Sequence, residues 1–297
     1  MKTCSRLVPK LAVDAKATLG EGAWWDADKK HLCWLDILNH ELHFYDPRRK
    51  TDKCVKYEKP ITAVVPRCKK GGYIAAFSDG IYFLDEDGAM GGLIVNPEHE
   101  KAGNRFNDGK CGPAGRFWVG SMDAQGGAGA GALYKIEKNL GYLTMLSGCD
   151  ISNGIVWNSA ADRMYYTDTL SGEISAFDYC QKDGTISNRS VAYKLGAGEG
   201  LPDGMTIDSE DMVWAAVWGG GKVIRIDPEK HEKLLEIYLP VPHVSSVAFG
   251  GAGLTQLFIT SARLGLSKAQ IEEYPHSGGL FSVETGIRGT KLHRFGA

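Results

Sequence analysis

The 297-residue sequence predicts an all-β fold, a six-bladed β-propeller, on three observations. A short strand-like run recurs at Leu32, Tyr73, Phe117, Met164, Val213 and Leu257, roughly every 41 to 49 residues, the period of propeller blades built from several strands each. Ten or eleven residues before each run stands a side chain carrying oxygen: Glu21, Thr62, Asn107, Asn153, Asp203 and Ser246. Helical periodicity is nearly absent; only Ser267 to Tyr274 reads as a short helix, with Ser267 placed to cap its N-terminus.

Each repeat follows one pattern. An apolar run is followed by a polar turn and then by alternating strands that end near an acidic residue. In LCWLDILNHELHFYDP, MYYTDTLSGEISAFDY and VWAAVWGGGKVIRIDP the second run closes at Asp46, Asp178 and Asp227, which reads as an antiparallel hairpin forming the outer strands of a blade. Trp34, Trp118, Trp157, Trp214 and Trp218 fall in or beside the repeats and are expected to fill the wedges between sheets. A ring must also be closed, and the early strand around Leu11 to Ala17 is expected to pair with the last sheet near Leu280 to Val283. The glycine clusters at 126–131 and 219–221 lead into no helix and no GK[ST] sequence, so they read as loops or hairpin turns rather than phosphate cradles. One domain spanning 1–297 is expected.

Composition narrows the function. Lys+Arg 34 against Asp+Glu 36 gives a formal charge of −2 with no lysine-rich run, which disfavours nucleic acid as a partner. Nothing approaches the length of a bilayer span, and residues 1–16 are broken by Arg6, Pro9, Lys10 and Asp14 rather than forming an apolar leader core. Seven dispersed cysteines without a CxxC pair read as reduced thiols, and a cytoplasmic setting is expected. A monomer or weak homo-oligomer is expected. The eight histidines show no metal-ligand spacing, and each is read as a surface or core residue; His243 alone falls near the expected axis and is given no role. No GxSxG elbow is present, which disfavours a serine hydrolase of the α/β kind.

If the repeats are arranged radially, the six oxygen-bearing positions face a common axis. One glutamate, one aspartate and one or two asparagines converging there supply two negative charges and neutral oxygens, a set suited to one hard divalent cation. Calcium comes first on ligand hardness, with zinc, manganese or magnesium as alternatives. Asn153-Gly and Asp203-Gly also fit ordinary turns when each is taken alone, and their register with Glu21 is what favours the axial reading. In NRFNDGKCGPAGRFWVGSM, Arg105 has the fork to hold a hydroxylated or anionic substrate, and Asn107 is placed to touch either metal or ligand.

The blocks LGEGAWWD, FNDGKCGPAGRFWVGSM, DISNGIVW, YYTDTLSGEISAFDY, LPDGMTID, KVIRIDP, VAFGG, ITSAR and GGLFSV occur in this order along nearly the whole chain. Together they resemble the family of regucalcin, the gluconolactonases and luciferin-regenerating enzyme. That resemblance implies a propeller, a divalent cation in the central channel, and hydrolysis of sugar lactones to aldonic acids. It implies Glu21, Asn153 and Asp203 as metal ligands and Arg105 and Asn107 as contacts to substrate hydroxyls. Two departures stand out. Ala23 follows LGEG where proline is common in the family, and GSMDAQGGAGAG replaces a longer segment carrying a substrate-contacting glutamate, a role left here to Asp123 or Gln125.

The expected chemistry is metal-dependent ester hydrolysis, with Asp203 as general base for the attacking water. Three rivals are a calcium-binding regulatory protein without catalysis, a promiscuous esterase or organophosphate hydrolase, and a non-enzymatic repeat scaffold. The pair Arg105 and Asn107 favours a polyhydroxylated substrate over an apolar one.

Overall fold

A computed structural model describes residues 7–69 and 71–297. Its strands form six four-stranded antiparallel sheets. The chain first lays down β1 (Lys10–Val13). The first blade then follows as β2 (Gly20–Asp26), β3 (His31–Asp36), β4 (Glu41–Asp46) and β5 (Thr51–Lys56). The second holds β6 (Ile61–Pro66), β7 (Tyr73–Phe77), β8 (Gly80–Leu84) and β9 (Met90–Val95), and the third β10 (Asn104–Cys111), β11 (Phe117–Asp123), β12 (Gly131–Ile136) and β13 (Tyr142–Cys149). The fourth holds β14 (Ser152–Trp157), β15 (Arg163–Asp168), β16 (Glu173–Cys180) and β17 (Thr185–Lys194), and the fifth β18 (Leu201–Ile207), β19 (Val213–Trp218), β20 (Lys222–Asp227) and β21 (Glu232–Tyr238). The sixth combines β22 (Val244–Gly250), β23 (Gln256–Ser261) and β24 (Leu280–Glu284) with β1.

The recurrent runs are therefore the second strand of each blade. The hairpins they begin occupy the two middle positions rather than the outer edge. In the first blade β3 pairs β4, and β5 covers β4 from outside with the half-exposed pattern of a solvent-facing strand. The hairpins were legible because their apolar alternation is strong. The fourth strands are largely exposed and leave apolar residues such as Met90, Leu93, Leu143 and Val191 at the surface, so they alternate weakly and carry little signal.

Closure takes the expected form. Lys10 pairs with Ser282 and Leu11 with Phe281, so the first and last strands share one sheet. The Ala17 amide donates to the Gly278 carbonyl at 2.8 Å. Between Ser261 and β24 lies the helix α1 (Lys268–Glu273), closed by a reciprocal capping box in which the Ser267 hydroxyl accepts from the Gln270 amide.

Buried aromatic rings fill the wedges between sheets. Trp34, Trp118, Trp157 and Trp214 are all buried, and Tyr179 meets Trp118 and Trp157 edge to face across the third and fourth blades. Trp218 differs: it is half-buried and faces the central cavity.

The inner strands form a ring. β2 packs on β6, β6 on β10, β10 on β14, β14 on β18, β18 on β22, and β22 on β2. Every one of them breaks register with its partner at the same place: at Glu21/Trp24, Ile61/Ala63, Phe106/Gly109, Ser152/Ile155, Pro202/Met205 and Val244/Ser246. Such a bulge re-aims side chains out of the pleat. The six oxygen-bearing residues fall at or beside these bulges, and so the fixed offset in sequence becomes a ring of polar groups in space.

Candidate active site at the hub of the ring

Glu21 lies on β2, Asn153 on β14 and Asp203 on β18, in blades one, four and five, and all three are buried while lining one cavity. Glycine follows each of them, for reasons of space. At Gly22 (φ +60) the left-handed backbone of the bulge is one a side chain rarely adopts, and a Cβ would meet Leu35 at 2.8 Å. A Cβ on Gly154 would stand 2.4 Å from the Asp203 carbonyl, and one on Gly204 would stand 2.8 Å from the Ser245 carbonyl. The Asx-Gly pairs are therefore points of close approach between neighbouring inner strands. They are not surface turns.

Asn153 donates its Nδ2 to Thr169 Oγ1 at 3.1 Å, and its Oδ1 is buried without a hydrogen-bond partner. Asp203 Oδ1 is likewise buried and unpaired. Burial is the largest cause holding the Glu21 carboxyl well above its usual range, and the negative charges of Asp203 and Asp108 add to it. Asp203 is raised well above its usual range in the same way, by burial first and Asp108 second. Asp108, also buried, is raised by burial against the pull of Lys110. Two of the buried oxygens have no partner, and the carboxylates repel one another. A hard divalent cation answers both deficits, and the donor set contains only oxygen.

Arg105 and Asn107 stand on β10 beside this group. Arg105 Nη1 donates to Asn107 Oδ1 at 2.8 Å and to the Phe106 carbonyl at 2.9 Å. Asn107 Nδ2 donates to the Ser152 carbonyl at 3.1 Å. With both ends of its amide occupied, Asn107 orients Arg105, and the guanidinium keeps donors free toward the cavity. Burial lowers the Arg105 pKa, opposed by Glu21.

The cavity, of about 210 Å³, is smaller than the roughly 300–1,000 Å³ of pockets for drug-sized ligands and suits a single ring. A larger hollow of about 620 Å³ beside Trp25 and Leu254 lies away from the axis and is lined by neither Glu21 nor Asp203. The cavity's rim is apolar: Met122, Leu170, Trp218 and Leu264. Asp123 and Gln125 are not brought to it. Asp123 ends β11 one residue beyond Met122, and its Oδ1 accepts from the Gln125 amide at 2.7 Å in a turn, while Gln125 is exposed. Thr62 and Ser246 also stay out of the cavity lining. Thr62 donates to the Ala76 carbonyl, and Ser246 Oγ accepts from the Ala23 amide.

Sequence reasoning missed Thr169, which sits on the short turn Thr169–Ser171 after β15 and holds the Asn153 amide. It also missed Trp218 as a cavity wall. The Trp218 ring stacks on His243 at 4.3 Å between centroids, and burial lowers the His243 pKa.

Residues 19–263 match the family described as "SMP-30/Gluconolactonase/LRE-like region". The chain belongs to that family. Among SMP-30/gluconolactonase/LRE-like proteins it is 36% identical over 280 residues to "Putative sugar lactone lactonase YvrE" of Bacillus subtilis (strain 168), covering 93% of this chain and 95% of that one. It is 35% identical over 277 residues to regucalcin of Xenopus laevis, covering 91% and 92%. A solved structure of luciferin-regenerating enzyme superposes with a TM-score of 0.92 at 30% identity, over 98% of this chain and 100% of that one.

The six described cysteines, Cys33, Cys54, Cys68, Cys111, Cys149 and Cys180, are free, and Cys4 lies outside the described residues. Among the described residues no helix is long and apolar enough to cross a membrane.

Proposed function

We propose that this protein is a metal-dependent hydrolase that opens sugar lactones to aldonic acids. The observation that carries the reading is the pair of buried, unpartnered oxygens on Asn153 and Asp203 beside Glu21, facing a ring-sized cavity that Arg105 also enters. The names of relatives that match over nearly the whole chain point the same way.

Glu21, Asn153 and Asp203 would hold one divalent cation, with calcium first on oxygen hardness and zinc, manganese or magnesium as alternatives. When bound, such a cation draws charge from an ester carbonyl and lowers the pKa of water. Arg105, oriented by Asn107, forks onto substrate hydroxyls and fixes the ring in the cavity. Asp203 accepts a proton from water as its oxygen bonds to the lactone carbonyl carbon. The ring C–O bond breaks, and the departing ring oxygen takes a proton to become the hydroxyl of the open acid. The apolar rim of Met122, Leu170, Trp218 and Leu264 limits bulk water around these charges.

The test is a pH-indicator assay over a panel of aldonolactones, on chelated protein and with each cation restored. Asp203→Asn is expected to lower kcat/KM by about 10²–10⁴, the range of a lost general base. Metal content measured on the same sample separates the lost base from a lost ligand. Turnover that survives chelation would defeat the proposal.

A further inference from the structure

A second constellation lies away from the axis, on the three strands of the first blade beyond β2. Trp34, His43 and Cys54 sit directly opposite one another on β3, β4 and β5, so they form one cross-strand row. Glu41 lies two residues from His43 and Asp52 two from Cys54, which puts both on the same sheet face as that row. One ligand atom from each of Glu41, His43 and Cys54 lies within 4.8 Å of the other two. Among the described residues no other group of three histidine, cysteine or acidic side chains gathers so closely.

The imidazole is held as a metal-binding histidine is held. Its ring stacks on Trp34 at 3.9 Å between centroids, and its Nδ1 is 2.7 Å from Asp52 Oδ2. Asp52 Oδ1 in turn accepts from Trp34 Nε1 at 3.3 Å. A carboxylate on Nδ1 places the proton there and leaves the lone pair of a neutral ring on Nε2. That Nε2 is buried with no hydrogen-bond partner, in a residue only 8% exposed, and it faces Glu41 Oε2 at 3.4 Å. A buried ring nitrogen without a partner calls for an explanation.

We propose that Glu41, His43 and Cys54 bind a zinc-class divalent cation, with Asp52 orienting the histidine and the fourth position open to solvent. One oxygen, one nitrogen and one sulfur donor make a borderline-soft set, unlike the all-oxygen group at the axis, and select zinc over calcium. Zinc–ligand bonds of about 2.0–2.3 Å place tetrahedral donors roughly 3.5 Å apart, so the present spacing needs only side-chain adjustment. Cys54 is exposed and Glu41 half-buried, which leaves an entry path and an open coordination site. The bound ion would clip the exposed strand β5 to β4, and its uptake releases the thiol proton, so affinity rises with pH.

Cobalt(II) reports the site optically. Chelator-stripped full-length protein titrated with cobalt chloride is expected to develop a near-ultraviolet thiolate-to-cobalt charge-transfer band that saturates at one equivalent, and added zinc chloride should bleach it. Cys54→Ser should abolish the band, Glu41→Gln should weaken zinc binding at least tenfold, and Asp52→Asn by about 10–100-fold, as loss of an orienting partner does. Glu21→Gln, which disables the axial group, should keep the band. A wild-type protein without the band, or a band that survives Cys54→Ser in a variant with native circular dichroism, would overturn the site.

Discussion

The amide of Asn153 gives its nitrogen to Thr169 and leaves its oxygen bare, and Asp203 leaves one oxygen bare beside it. Those atoms have shed water without gaining a partner, a cost that persists only where something else supplies the partner. The carboxyls report the same deficit, because burial raises both Glu21 and Asp203. Values above those of the unfolded chain, which lie near 4, mean that the metal-free native state binds more protons than the unfolded one. The stability these groups contribute is therefore full in acid and is lost as pH rises through their native values, by up to about 1.4 kcal/mol per pH unit for each group while it titrates. Chelated protein is expected to melt at lower temperature as pH climbs from 5 toward 8. The dependence should flatten in Asp203→Asn. Thermal melts of both proteins across that range check it, and parallel slopes would show that Asp203 carries none of the effect.

At the level of strands, what could be read from the sequence depended on whether a position repeats with its chemistry. Glu21, Asn153 and Asp203 were legible because each stands at a fixed distance before a strong apolar run, and the bulge that turns them inward recurs in every blade. Thr169 and Trp218 stand at positions that recur, but their residue types do not: Ile37 takes the place of Thr169 in the first blade, and Met122 and Ala262 take the place of Trp218 in the third and sixth, so no shared chemistry exposes them. Asp123 was suggested by its place in a loop that departs from the family, yet the turn it makes with Gln125 holds it out of the cavity lining. His43 and Cys54 fit no sequence motif because they stand eleven positions apart and only the register of β4 with β5 brings them face to face. The closing strand was legible from need alone, since a ring must tie its ends. Gly278 tests that closure with one atom. At φ +76 its added Cβ would stand 2.3 Å from the Ala17 carbonyl oxygen and 2.4 Å from the Ala17 nitrogen, both backbone atoms that cannot turn aside. Gly278→Ala is expected to destabilise by about 1–3 kcal/mol, in line with strain at a non-glycine left-handed position. Hydrogen exchange should show the loss concentrated in β1 and β24, and unchanged protection there would refute the closure role.

Across the whole molecule, the ring of inner strands raises a question of cooperativity that no single blade answers. Each blade pairs its own strands, and neighbouring blades meet through apolar wedges, but the buried charges of blades one, three and five meet only at the hub. Three buried carboxylates, Glu21, Asp108 and Asp203, are offset by two buried or nearly buried cations: Arg105, and Lys110, whose Nζ donates to the Met205 carbonyl. Without a further positive charge the hub pushes its strands apart, and a ligand that binds only the folded ring stabilises all of it at once. Calcium should therefore raise the melting temperature of the entire protein in one transition. The gain is RT ln(1 + [L]/Kd), about 2.7 kcal/mol at a hundredfold excess over Kd, and it should continue to grow with the logarithm of concentration beyond that point. Glu21→Gln should remove most of the gain while leaving the strand signature intact. Scanning calorimetry of chelated protein at stepped calcium concentrations reads this directly. A melting temperature indifferent to calcium, magnesium, manganese and zinc alike would mean that the hub keeps its carboxylates protonated and holds no ion, and the proposed hydrolysis would then lose its cation.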